Sequence, residues 1–136
     1  MFLRFFLVFK PASAKTLSIH PIKNEMFACA SQRGDCMLYD IRGRPGPNSL
    51  MKPIKQFSGH TKSISSAFFS PISGEKLATV AYDDKIRIYE VDAKKEQTGP
   101  AVAFYHNNQT GRWLSTFKVR AIGAGFLGLL SKITTY

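Results

Sequence analysis

The sequence predicts an all-β fold, a partial β-propeller with two blades plus the start of a third. The first observation is a gapless internal repeat. LSIHPIKNEMFACASQRGDCMLYDI, residues 17–41, lies over AFFSPISGEKLATVAYDDKIRIYEV, residues 67–91, at a spacing of 50 residues. Pro21, Ile22, Glu25, Ala28 and Tyr39 recur as Pro71, Ile72, Glu75, Ala78 and Tyr89. The second observation is that each copy is made of short apolar runs with strand-like alternation, separated by turn formers. Repeats of about 40–50 residues built this way form one four-stranded blade each. A closed ring needs about 4–8 blades, and 136 residues hold fewer. The chain therefore reads as a short form of a larger propeller, or as an arc that closes by association. The first is preferred, because an open arc leaves strand edges uncovered.

In the first repeat, strands are expected over residues 16–19, 26–31 and 36–41. Residues 32–35 form the tight turn between the last two, with Gly34 at positive φ. RGRPGPNSLMKP, residues 42–53, holds three prolines and two glycines and is a loop bearing Arg44 and Lys52. Residues 55–57 make an outer strand that completes the blade. Strands over 63–70, 76–81 and 85–91 repeat the pattern. In the last of these, Ile86, Ile88 and Glu90 share one face, and Arg87, Tyr89 and Val91 the other. Residues 92–100 form a polar loop, and a third blade is expected to begin near residues 101–105 and 115–119. The chain thus divides into an atypical segment (1–13), blade 1 (14–57), blade 2 (58–93), the start of blade 3 with a hairpin (94–119) and an atypical tail (120–136).

The formal charge is +10, from 19 basic and 9 acidic residues. That excess points to an anionic partner, nucleic acid first and anionic membrane second, unless the rest of a longer protein balances it. Cys29 and Cys36 match no zinc spacing or disulfide framework and read as buried thiols of a cytosolic or nuclear protein. The apolar run after Arg4 is five residues long and ends at Lys10, although Ala12-Ser13-Ala14 has the form of a cleavage site. A buried strand or sequence foreign to the parent protein is expected there ahead of a signal peptide. AIGAGFLGLL, residues 121–130, is about half a membrane span, so no membrane partner is expected. No Gly-x-Ser-x-Gly elbow, P-loop, His-Glu-x-x-His or Cys-x-x-Cys occurs. Neither enzymatic activity nor a cofactor or metal is expected. Asp83-Asp84 reads as a solvated strand-to-strand turn.

Gly59-His60 and Tyr89-Glu90 sit where WD40 repeats carry their Gly-His and Trp-Asp pairs, and the chain resembles that family. The resemblance implies a blade-holding network of His60, Asp83 and Tyr89, with Ala81 where a hydroxyl residue is usual. In the first repeat Ser31 is kept, while Arg33 stands at the Asp place and Tyr39 at the Trp place. Tyr39-Asp40-Ile41-Arg42 resembles the Trp-Asp-x-Arg box of WD40 proteins that serve as substrate receptors for cullin-4 ubiquitin ligases. Asp40 and Arg42 are two apart at a strand end, so both point to one side. An arginine fork there can pair with an acidic or carbonyl-rich adaptor surface. The alternative is an ordinary solvated arginine.

HNNQTGRWLSTFK, residues 106–118, is similar to the WD40 branch related to the damaged-DNA-binding WD-repeat subunit. The likeness runs over residues 14–118, and Val119-Arg120-Ala121-Ile122 departs from it. Together with the atypical N-terminus, this suggests a truncated product. The resemblance places Arg112 and Trp113 on a hairpin that probes duplex DNA, with modified or damaged bases included. His106, Asn107, Asn108 and Gln109 add hydrogen-bonding groups. Arginine beside tryptophan can contact phosphate while the indole stacks or wedges between bases. Lys94, Lys95 and Lys118 supply sequence-independent attraction. The bland alternative for Trp113 is a core aromatic and for Arg112 a loop cation. The implied partners are duplex DNA, a cullin-4 ligase adaptor and chromatin proteins, in the nucleus. A protein-interaction scaffold without DNA binding is the other functional class.

Overall fold

Two four-stranded antiparallel sheets carry the same design 50 residues apart. The computed structural model describes residues 14–43, 51–92, 94, 98–107, 118–119 and 133–134. The first sheet contains β1 (Ala14–Ile19), β2 (Met26–Ser31), β3 (Cys36–Asp40) and β4 (Lys55–Phe57), in that order. The second contains β5 (Ile64–Phe69), β6 (Lys76–Ala81), β7 (Lys85–Glu90) and β8 (Val102–Tyr105), again in chain order. β9 (Lys118–Val119) pairs with β10 (Ile133–Thr134). The fold is the all-β, partial-propeller architecture that the repeat predicts.

The repeat extends to backbone detail. Register shifts mark a bulge between Ala14 and Thr16 in β1, and between Ile64 and Ser66 in β5. The amides of Ile41 and Val91 bond the carbonyls of Glu25 and Glu75 at 2.8 and 2.9 Å. Those bonds close the strand ends, so β3 and β7 stop at Asp40 and Glu90, one residue before the expected bounds. Gly34 takes φ +90 in the β2–β3 turn, as the spacing requires, while Asp84 supplies positive φ (59) in the β6–β7 turn.

Residues 101–105, expected to open a third blade, instead supply β8, the outer strand of the second sheet. Its register with β7 runs from Lys85↔Tyr105 to Ile88↔Val102. Strand β8 thereby does for the second sheet what Lys55–Phe57 does for the first, after a loop leaving the same strand end. β9 lies against β5 and β6, as β5 lies against β1 and β2.

The core lies between the sheets because alternate residues of each strand share a face. Met26, Ala28, Ala30, Cys36, Leu38 and Phe57 of the first sheet meet Ile64, Phe69, Leu77, Tyr89 and Val91 of the second. Tyr89 is fully buried and packs on Phe57 with ring centroids 5.1 Å apart. Burying one such side chain is worth about 2 kcal/mol. The same face of the first sheet that Leu77 and Tyr89 occupy in the second carries Phe27, Cys29 and Tyr39. Both cysteines are free and buried, as expected, and burial pushes the Cys29 thiol up to about 11.

Polar ties join the sheets. The buried Lys55 ammonium donates to the carbonyls of Glu90 and Asp92 at 3.1 and 2.9 Å. The Ser18 hydroxyl accepts the Phe69 amide at 3.4 Å, and the His20 ring packs 5.1 Å from that of Phe69.

Candidate functional site

The link from β4 to β5 crosses the second sheet and delivers His60 beside Thr79 and Tyr89. His60 Nε2 lies 2.8 Å from Thr79 Oγ1, and the Tyr89 hydroxyl donates to the Ser58 carbonyl at 2.8 Å. The Tyr89 hydroxyl also comes within 3.4 Å of His60 Nε2. Burial, reinforced by Arg87 and opposed by Asp83, pulls His60 down to about 4, so the ring is neutral near pH 7. Burial also raises the Tyr89 phenol. Asp83 accepts from Arg87 Nη1 and Nη2 at 3.0 and 2.6 Å, and from the Thr61 amide and hydroxyl at 3.3 and 3.2 Å. Burial alone would raise Asp83, but the Arg87 and Thr61 bonds outweigh it and hold the carboxyl at about 2.

Two expectations for this network are corrected. Thr79, not position 81, provides the hydroxyl, because the His60 ring reaches one pleat repeat further along β6. Ser31 does not join a blade network. Its hydroxyl accepts the amides of Arg33 and Asp35 at 3.1 and 3.2 Å and fixes the β2–β3 turn. The first sheet instead has an apolar counterpart, with Cys29 and Met37 at the places of Thr79 and Arg87. Tyr39 stacks on Phe27 at 5.3 Å, and its hydroxyl bonds Met37 Sδ at 3.2 Å.

The strands end on two rims. At one rim stand the start of β1, the β2–β3 turn, the 58–63 link, the β6–β7 turn and the residues after β8. Pairings Ala14↔Ser31 and Lys85↔Tyr105 fix this grouping. Here the His106 amide donates to the Asp84 carbonyl at 2.8 Å, and Tyr105 is 77% exposed. At the opposite rim, Asp40 and Arg42 form a fork, with Nε–Oδ1 at 3.2 Å and Nη2–Oδ2 at 2.9 Å. Arg42 Nη2 also meets Glu25 at 3.1 Å, and its side chain is 68% exposed. A groove of about 770 Å³ opens between the sheets there, lined by His20, Ile22, Lys23, Ile54, Glu75 and Lys94 among others. Among the described residues, no three His, Cys, Asp or Glu side chains gather as a metal-binding group. Among them, too, no helix is long and apolar enough to cross a membrane.

No family model matches the chain. Individual proteins do. WD repeat-containing protein 76 from Xenopus laevis is 37% identical over 106 residues, covering 78% of this chain and 18% of that protein. Its mouse counterpart is 34% identical over 104 residues, 76% of this chain and 16% of that protein. The chain belongs to the WD-repeat proteins. A fungal relative, DNA damage-binding protein cmr1 from Neurospora crassa, is 33% identical over 113 residues, 74% of this chain and 21% of that protein. This WD-repeat chain spans about a fifth of the length of the relatives it matches.

Within the WD-repeat frame, His106 is half-buried and Asn107 exposed at the first rim. Lys118 lies in β9, against β5 and β6 of the second sheet. Asn108, Gln109, Arg112, Trp113 and Lys95 lie outside the described residues. Lys94, expected to add attraction beside the 106–113 segment, stands away from His106. It follows the far end of β7 and lines the groove at the opposite rim, because antiparallel β7 and β8 put their connecting loop at the other end from His106. Tyr39 is 7% exposed, so of the box residues Arg42 and Ile41 are the ones that reach well into solvent, with Asp40 partly covered. Sequence reasoning passed over Tyr105, whose exposure follows from its place at the end of an outer strand, and Lys15. The β1 bulge aims Lys15 over the Tyr82 ring, 4.5 Å from its centroid.

Proposed function

We propose that this WD-repeat chain is a DNA-binding module of a nuclear, chromatin-associated DNA-damage response protein, acting by binding and not by catalysis. The observation that carries this reading is the placement of residues 105–107. They leave β8 at a rim that also bears the tight turns of both sheets, with His106 anchored on Asp84 and Tyr105 and Asn107 exposed. A segment launched from that rim can reach a duplex without disturbing the core. The name carried by the Neurospora relative, DNA damage-binding protein, supports it. In this reading His106, Asn107, Asn108 and Gln109 bond backbone or base edges, Arg112 contacts phosphate, Trp113 stacks or wedges, and Lys118 adds charge. The test is retention of the chain on duplex DNA at low salt. Loss of retention in Arg112→Ala/Trp113→Ala is the expected result, and unchanged retention removes those two side chains from the interface.

A second reading is favoured by the Asp40–Arg42 fork. Asp40 and Glu25 engage Nε and Nη2 of Arg42, which leaves the Nη1 donors as an oriented edge for a partner carbonyl or carboxylate. Tyr39, packed beneath, fixes the strand that presents them. This is the surface for a cullin-4 ligase adaptor, and with it the role of substrate receptor. Capture of the adaptor by the wild-type chain, lost in Arg42→Ala, is the expected result. Capture that persists in that variant sinks the assignment.

A further inference from the structure

The two rims differ in how their charges are matched. At the rim that carries Tyr105 and His106, four cations are exposed: Lys15, Arg33, Lys62 and Lys85. They come from β1, the β2–β3 turn, the β4–β5 link and the start of β7. The sheet registers bring them together, with Lys85 opposite Tyr105 and the β2–β3 turn touching the link where Gly34 meets the Lys62 carbonyl. The carboxylates of this rim are otherwise engaged. Asp83 is held by Arg87 and Thr61, and Asp35 accepts the Ser31 hydroxyl at 3.5 Å. Asp84 is half-buried in its turn. Among the described residues, none of the four cations takes part in an ion pair. The opposite rim is balanced, since Lys23, Lys76 and Lys94 line one groove with Asp40, Glu75, Glu90 and Asp92.

From this asymmetry we infer a phosphodiester-binding surface made by Lys15, Arg33, Lys62 and Lys85, with Tyr105 beside it. The inference rests on the DNA-binding reading and gives it a sequence-independent contact surface separate from residues 106–113. Stacked sheets lie about 10 Å apart. Cations borne on successive sheets can therefore meet nearby phosphates of one duplex strand. The Lys15 ammonium is prepositioned by Tyr82, with Nζ 3.4 Å from its hydroxyl. Among the described residues, the exposed isoleucines Ile19, Ile22, Ile41, Ile54 and Ile72 stand toward the opposite rim, and the exposed ring at the cationic rim is Tyr105. A tyrosine can stack on a base, and no exposed isoleucine stands beside it to insert into a lipid surface, which favours nucleic acid over membrane.

The test is a titration of the full chain with a short mixed-sequence DNA duplex from about 50 to about 200 mM salt. The slope of log affinity against log salt is compared among variants. Each lost phosphate contact lowers that slope by about 0.9. Lys15→Gln/Arg33→Gln/Lys62→Gln/Lys85→Gln is expected to lower it by about 3.6, while Lys23→Gln/Lys94→Gln on the balanced rim leaves it unchanged. If the quadruple variant loses its circular dichroism spectrum, Lys62→Gln and Lys85→Gln carry the test singly, each lowering the slope by just under 1. An unchanged slope overturns the surface while leaving DNA binding intact. Absence of any salt-dependent binding by the wild-type chain overturns the DNA-binding reading itself. Binding to anionic phospholipid vesicles but not to the duplex overturns the choice of partner.

Discussion

Arg87 and Asp83 form a two-bonded ion pair whose side chains are 4% and 6% exposed. The pair sits at the root of the β6–β7 turn, and Asp83 also gathers the Thr61 amide and hydroxyl. One carboxylate therefore ties the turn, the β7 strand and the link from the first sheet. Removing a single partner leaves the other charge buried, which costs about 3–5 kcal/mol. Asp83→Ala is accordingly expected to lose that much stability in urea unfolding, and Asp83→Leu/Arg87→Met less than either single change. A double variant worse than the sum of its parts contradicts this account of the pair.

The hydrogen bond between His60 and Thr79 makes its own prediction. Thr79→Val keeps the shape of a fully buried side chain but deprives the His60 ring of a partner. The expected loss is about 1–3 kcal/mol, and Ala81→Ser in the same background does not recover it. Recovery by Ala81→Ser would return the hydroxyl role to position 81.

Stability is expected to fall in two steps on acidification. His60 is held down at about 4 in the folded chain, against an ordinary value of 6.5. The unfolded chain therefore binds this proton first, and stability is lost as pH falls from about 6.5 toward about 4, by up to about 1.4 kcal/mol per pH unit. Asp83 lies at about 2 against 3.8, so its contribution is present above 3.8 and disappears on the way down to about 2. His20, also lowered by burial and by Lys23, adds to the first step. Urea midpoints measured between pH 7 and pH 4 report the slope, and His60→Phe should flatten it. A midpoint that rises on acidification is the contrary result.

Gly74 is fitted to His20. A Cβ on Gly74 would run into the His20 ring, and the backbone there has φ +67. Gly74→Ala is expected to destabilise by about 2 kcal/mol or more, of which left-handed strain accounts for about 1. His20→Ala in the same chain should recover the remainder, and a double-mutant cycle reads the coupling.

Much of this fold is legible in the sequence, for particular physical reasons. Met26–Ser31 and Lys76–Ala81 were set by apolar alternation and by the repeat, and both appear with the expected bounds. Strand Val102–Tyr105 was misplaced because four residues after a polar loop carry no mark of which sheet they join. Only pairing with β7 decides that. Thr79 was missed because residues two apart share a strand face and differ only in depth, about 7 Å along the strand. How far the His60 ring reaches selects between them. Lys15, Lys62 and Lys85 stand far apart in the chain, and no local pattern groups them until the sheet registers do. The spacing of Asp40 and Arg42 puts both on one side but does not show that they pair with each other, and the burial of Tyr39 comes from its stacking on Phe27.

The most direct test of a nucleic-acid-binding rim is lysine reactivity, read by mass spectrometry after brief acetylation of the wild-type chain with and without a DNA duplex. Protection of Lys15, Lys62 and Lys85, with Lys23 and Lys94 unchanged, is the expected pattern. Protection centred on Lys23 and Lys94, or equal reactivity everywhere, contradicts it.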